Sequence, residues 1–168
     1  YGHRYKEAIS DFTRFAGKIP MPPRFAFGYW YSRYFCYSDT EIKELISEMR
    51  TYGVPLDVFI IDMDWHETYG ISANKGNFLG WTGYTWNKTL IPDPAGLLDW
   101  MHRRQLKVAL NLHPADGIYW KEEGFDRMAK RLSLDTAGLE RIPFQNENHL
   151  WSQAYFGEII HPLEVTGV

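Results

Sequence analysis

The chain has 168 residues, 45% of them hydrophobic and 23% charged, with a formal net charge of -3. That composition suits a globular domain with one core, and its mild acidity argues against nucleic acid or an anionic membrane as the main partner. No apolar run approaches the roughly 18 residues of a membrane span, the polar opening Tyr1-Gly2-His3-Arg4 leads us to expect no signal peptide, and a single cysteine, Cys36, excludes an internal disulfide framework.

Cys36 itself is expected to be a small buried hydrophobe rather than a nucleophile. Aromatic residues make up 17% of the chain, with seven Trp and eleven Tyr. Aromatic faces stack on sugars, but they also fill cores, so composition alone leaves both readings open.

In chain order, Lys6 to Ala16 reads as a short amphipathic helix with Ala8, Ile9, Phe12 and Phe15 on one face and Gly17 past its end. Pro20, Pro22 and Pro23 enforce an extended lead-in. Arg24 to Trp30 reads as a first strand, followed by an aromatic loop over Tyr31 to Tyr37. Ser38 and Glu41 have the spacing of a capping box, which starts a helix running to about Tyr52 with Ile42, Leu45, Ile46 and Met49 inward. Gly53 stops it.

The second strand, Asp57 to Ile61, carries Val58-Phe59-Ile60-Ile61. Four consecutive apolar residues, mostly β-branched, fit a strand buried on both faces of a parallel sheet. The residues that follow are Asp62-Met63-Asp64-Trp65-His66. Carboxylates inside a buried strand are costly, so Asp62 and Asp64 should stand at its C-terminal mouth, where parallel sheets bind ligands. Capping of the following loop is the alternative role for both.

A long excursion from Met63 to Leu90 hangs from that end and holds Trp65, Tyr69, Phe78, Trp81, Tyr84 and Trp86. Loops of this length are uncommon unless functional. Asp93-Pro94 then has the pattern of an N-cap followed by proline at the first helical position, opening a helix to about Arg104. Lys107 to Leu112 is a third strand, ending in His113-Pro114-Ala115-Asp116-Gly117. Gly124 to Leu132 reads as helix, the stretch to Asn148 as mostly loop, and Leu150 to about Val165 as a last helix that includes Trp151, Tyr155 and Phe156 as core residues. The strand–helix alternation implies βαβ units, a parallel sheet and the α/β class. All three strands carry their polar and aromatic residues at the same end.

In this order and spacing the chain resembles glycoside hydrolase family 31, the α-glucosidase and α-xylosidase family. The residues that carry the resemblance are Tyr5-Lys6-Glu7-Ala8-Ile9-Ser10-Asp11-Phe12, Pro20-Met21-Pro22-Pro23, Phe27-Gly28 and Ser32-Arg33-Tyr34. They continue with Ile61-Asp62-Met63-Asp64-Trp65-His66, Tyr84-Thr85-Trp86-Asn87, Ile91-Pro92-Asp93-Pro94 and Leu110-Asn111-Leu112-His113-Pro114-Ala115. Pro162-Leu163-Glu164 with Gly167-Val168 matches the approach to the family's fourth strand.

The resemblance implies a partial (β/α)8 TIM barrel, residues 1–168 supplying about the first three βα units. A closed barrel needs about 250 residues. It also implies a retaining α-glycosidase acting on an α-linked oligosaccharide or glycoside, with one Asp as nucleophile and another as acid/base. Both are expected beyond Val168, so the chain holds no catalytic residue and alone is expected to be inactive.

What the resemblance does place here is a sugar-binding floor: Asp62 on sugar hydroxyls, Met63 as an apolar contact and Tyr34 as an aromatic wall. Asp64 and His113 stand at the same mouth, as sugar contacts or as structural groups. Trp81 in the excursion is a candidate platform for the leaving sugar, and Trp86 a packing anchor. Asn111 is expected to face the barrel interior. No cofactor is expected. A metal site from Asp62, Asp64, His66 and His113 is set aside, because the Asp-x-Asp-x-His spacing has no established metal geometry. Two other readings are a non-catalytic glycan- or partner-binding chain and a barrel hydrolase of a neighbouring family such as the α-galactosidases. A three-stranded slice leaves sheet edges open, so self-association is expected of it.

Overall fold

A computed structural model describes residues 2–67 and 82–168. The excursion residues Tyr69, Phe78 and Trp81 lie outside them. Three parallel strands, β1 (Tyr29–Tyr31), β2 (Leu56–Ile61) and β3 (Lys107–Leu110), form a sheet in the order β1-β2-β3. The hydrophobic run therefore lies on the central strand. Phe59 and Ile61 face the helices and are fully buried, whereas Ile60, on the other face, is half-buried.

Helix α2 (Asp39–Thr51) starts at Ser38, and both bonds of the capping box are made: Ser38 Oγ accepts from the Glu41 N–H, and a Glu41 carboxylate oxygen accepts from the Ser38 N–H at 2.8 Å. Ile42 and Ile46 are buried; Leu45 and Met49 are half-buried. Helix α3 (Pro94–His102) starts as its sequence predicts, with Asp93 Oδ1 accepting from the Gly96 N–H at 3.0 Å. The α2 and α3 side chains Ile42, Ile46, Leu97, Leu98 and Met101 close over Phe59, Ile61 and Val108 to form the first core.

Beyond β3 a second core forms around α4 (Phe125–Arg131) and α5 (His149–Tyr155), built on Phe125, Met128, Trp151, Ala154 and Tyr155. Two short strands, β4 (Ile118–Tyr119) and β5 (Arg141–Ile142), pair antiparallel within it; β5 falls where the sequence reads as mostly loop, and β4 where it suggests no element. Two residues per strand are too few for any periodicity.

Other elements depart from the sequence reading. Arg24–Phe27 forms a 3-10 turn, and the first strand begins later, at Tyr29. The expected last helix is three pieces: α5, a π-helical turn over Phe156–Ile160, and α6 (His161–Glu164). Pro162 explains the change of winding, since it has no N–H to donate to the preceding turn. Phe156 is exposed rather than core. Helix α1 (Tyr5–Ala16) forms, but its apolar face finds no cover among the described residues: Ile9 and Phe12 are mostly exposed and Phe15 is 94% exposed.

Candidate functional site at the carboxyl end of the sheet

Asp62 follows directly on β2, with extended backbone, and caps a short 3-10 turn over Met63–Trp65. Its Oδ1 accepts two bonds, from the Met63 N–H at 2.8 Å and from Asn111 Nδ2 at 2.5 Å. The capping role is therefore realised, but at one oxygen. Among the described residues Oδ2 accepts no hydrogen bond. The side chain is half-buried, so among the described residues one oxygen is fixed by protein and the other keeps both lone-pair sites open.

Parallel register brings Asn111 there. Ile61 pairs with Leu110, and the Asn111 N–H donates to the Ile61 carbonyl at 3.1 Å, one step past the ladder. The Asn111 carbonyl accepts from Trp65 Nε1 at 2.8 Å. The side chain of Asn111, a residue expected to face the barrel interior, bonds the strand-two carboxylate. Only the register could have revealed that pairing.

The rest of the strand-two motif divides in two. Met63 is buried and Asp64 half-buried. Trp65 packs edge-on against Trp86 at 5.0 Å between ring centroids, and His66 is 1% exposed with Nδ1 at 2.9 Å from the Glu67 carbonyl oxygen. A short antiparallel contact holds this segment to the end of the excursion: the Glu67 N–H donates to the Thr85 carbonyl at 2.7 Å and the Asn87 N–H to the Trp65 carbonyl at 2.8 Å. His66 thus belongs to the core rather than to the polar cluster.

Tyr34 lies in the loop after β1 and is 62% exposed, and no hydrogen bond or ring contact joins it to Asp62 among the described residues. Its neighbours Tyr31 and Tyr37 bond through their hydroxyls at 2.8 Å, and partial burial pushes the Tyr31 hydroxyl up to about 12. His113 is half-buried beyond β3. Its carbonyl accepts from Thr82 Oγ1, which in turn accepts from the Asp116 N–H at 3.2 Å. Thr82 therefore pins the end of the excursion beside His113. Cys36 is exposed, not buried as expected. Desolvation first, then the charges of Asp64 and Glu41, push its thiol up and keep it a poor nucleophile.

A buried polar cluster escaped the sequence reading. Glu122 is 4% exposed; it accepts from the Tyr84 N–H at 3.2 Å and from Thr85 Oγ1 at 2.5 Å. Thr85 Oγ1 accepts in turn from the Glu123 N–H at 3.0 Å. Lys121-Glu122-Glu123 is a run of three charged residues, and nothing in the sequence marks its middle residue as buried. Burial pushes the Glu122 carboxyl from 4.5 up to about 7, against the opposing pull of the Thr85 and Tyr84 bonds.

A raised carboxyl stabilises the fold fully below 4.5, and that contribution is lost as pH rises through about 7. The gap corresponds to at most about 3 kcal/mol. Glu122→Gln, which is neutral at every pH, should lose that dependence. Denaturant unfolding at pH 5 and pH 8 checks this: the unmodified protein should lose stability relative to the Gln variant as pH rises. Parallel curves would show that Glu122 does not titrate in this window.

Comparison with known proteins adds to this geometry. Residues 19–160 match the family model described as the glycosyl hydrolases family 31 TIM-barrel domain. The alpha-xylosidase XylQ of Lactiplantibacillus pentosus is 34% identical over 116 residues, 68% of this chain and 14% of that protein. An alpha-xylosidase of Saccharolobus solfataricus is 27% identical over 147 residues, 88% of this chain and 18% of its own length. The chain therefore spans less than a fifth of these relatives. Among solved structures, an alpha-xylosidase from Xanthomonas citri superposes with a TM-score of 0.71 at 18% identity, covering 97% of this chain and 18% of that one. That likeness concerns the fold: the three parallel strands and their helices correspond to part of an α/β barrel.

Proposed function

Because the chain belongs to glycoside hydrolase family 31, within its TIM-barrel domain, we propose that it is the first part of the catalytic barrel of a retaining α-glycosidase and supplies the floor of the sugar-binding subsite. The observation that carries this reading is the Asp62 carboxylate at the carboxyl end of the central strand, with Oδ1 held by two N–H donors and Oδ2 accepting no bond among the described residues. A carboxylate in that state suits charge-assisted bonds to sugar hydroxyls. Met63 at the next position supplies apolar contact. Asp64 and His113 border the site, Tyr34 walls it from the loop after β1, and Trp81 contributes a stacking face for the leaving sugar.

The substrate is an α-linked oligosaccharide or glycoside. The nucleophile and the acid/base Asp come from barrel strands outside these 168 residues, so bond cleavage needs the rest of the domain. As a separate polypeptide the segment binds but does not cleave, and it self-associates through the outer edges of β1 and β3. The test is to express the full-length gene product and screen aryl α-xylosides and α-glucosides for release. Release by that protein, with none from the 168-residue chain and scattering from the latter above monomer mass, is the expected result. Binding without release by the full-length protein would favour a non-catalytic glycan-binding role instead.

A further inference from the structure

We propose that Asn111 is the positioning residue of the sugar-binding carboxylate: its side-chain amide holds Oδ1 of Asp62 so that Oδ2 is presented to substrate. The inference rests on the reading of Asp62 given above. A carboxylate oxygen has two lone-pair sites, and the Met63 N–H at 2.8 Å and Asn111 Nδ2 at 2.5 Å fill those of Oδ1. Two donors from different directions fix the carboxylate plane, which one backbone cap does not.

Asn111 is itself anchored on both sides of its backbone. Its N–H is tied to the Ile61 carbonyl at 3.1 Å and its carbonyl to the indole of Trp65 at 2.8 Å. That indole is buried and wedged against Trp86. Strand β3, strand β2 and the aromatic core therefore all meet at this residue. The choice of an amide has a chemical consequence. A lysine or arginine here would neutralise Asp62 and weaken its grip on hydroxyls. A neutral donor orients the carboxylate and leaves its full charge for the sugar.

Asn111→Asp tests this in the full-length protein, with kcat/KM for 4-nitrophenyl α-xyloside and α-glucoside followed against pH. Two facing carboxyls share one proton at low pH, and that proton replaces the amide donor. As pH rises the pair loses it and the two charges repel. The ratio of variant to unmodified kcat/KM should therefore fall by about tenfold or more between pH 5 and pH 8. A ratio that is the same at every pH, which a purely packing role would give, overturns the inference.

A second measurement is independent of that variant's folding. Asn111→Ala should lower kcat/KM by about tenfold or more when Asp62 is present and change it little in an Asp62→Ala background. Equal losses in both backgrounds also overturn the inference while leaving the sugar-binding role of Asp62 intact. If Asp62→Ala alone leaves kcat/KM unchanged, or the unmodified protein acts on neither glycoside, the reading of Asp62 fails and this inference fails with it.

Discussion

Asp62→Ala in the full-length protein is expected to lower kcat/KM for aryl α-glycosides by about 100- to 10,000-fold without unfolding it. Charge-assisted hydrogen bonds contribute about 1.5–3 kcal/mol each, and two vicinal hydroxyls held by one carboxylate bring about 3–6 kcal/mol, at about 1.4 kcal/mol per factor of ten. The structural cost is smaller. The substitution removes the cap on the Met63 N–H, worth about 1 kcal/mol, and leaves the Asn111 amide without its carboxylate. The central strand keeps Phe59 and Ile61 in the core. Steady-state kinetics with a thermal melt on the same sample separates the two effects. A variant with an unchanged melt and unchanged kcat/KM would remove Asp62 from the site.

The second large effect is on stability. Gly117→Ala should cost about 2–6 kcal/mol, the sum of two independent contributions. Gly117 has φ 79° and ψ -154°, a region that only glycine populates freely, and an ordinary residue there bears about 1–3 kcal/mol of strain. A Cβ would also collide with the backbone carbonyl of Ile142, and overpacking against such rigid backbone costs a further 1–3 kcal/mol or so. Ile142 pairs with Ile118 in the β4–β5 ladder, so the collision would open the second core at its strand pair. Gly138 is the control. It has φ 73°, but a Cβ there meets nothing within 4 Å. Gly138→Ala should show the backbone contribution alone, about 1–2 kcal/mol. Denaturant unfolding of both variants tests the pair, and equal losses would mean that the Ile142 contact is relieved at no cost.

Much of the first core was legible in the sequence because its signals are local. The capping box at Ser38 and Glu41, the Asp93-Pro94 helix start and the apolar run of β2 each depend on residues within one turn or one strand. The later half depends on tertiary contacts. Strands β4 and β5 exist only because residues more than twenty positions apart pair, and the burial of Glu122 follows from its bonds to Tyr84 and Thr85. The first strand begins later than its sequence suggests because Arg-Phe-Ala-Phe suits strand or turn equally. The indole of Trp30 donating to the Phe25 carbonyl at 3.2 Å belongs to the turn that forms.

At the site, the position of Asp62 at the strand mouth was legible from the cost of burying charge. Its bonding to Asn111 was not, since that requires the β2–β3 register. His66 adjoins Asp62 and Asp64 in sequence, but adjacency does not say which way the chain turns. The 3-10 turn over Met63–Trp65 carries Trp65 and His66 into the core.

The most direct measurement is a crystal structure of the full-length protein with a monosaccharide product bound. Asp62 Oδ2 should lie about 2.5–2.9 Å from two hydroxyl oxygens of the sugar, with Oδ1 still on the Met63 N–H and the Asn111 amide. A sugar seated in the barrel with Asp62 Oδ2 turned away onto protein backbone would contradict the account.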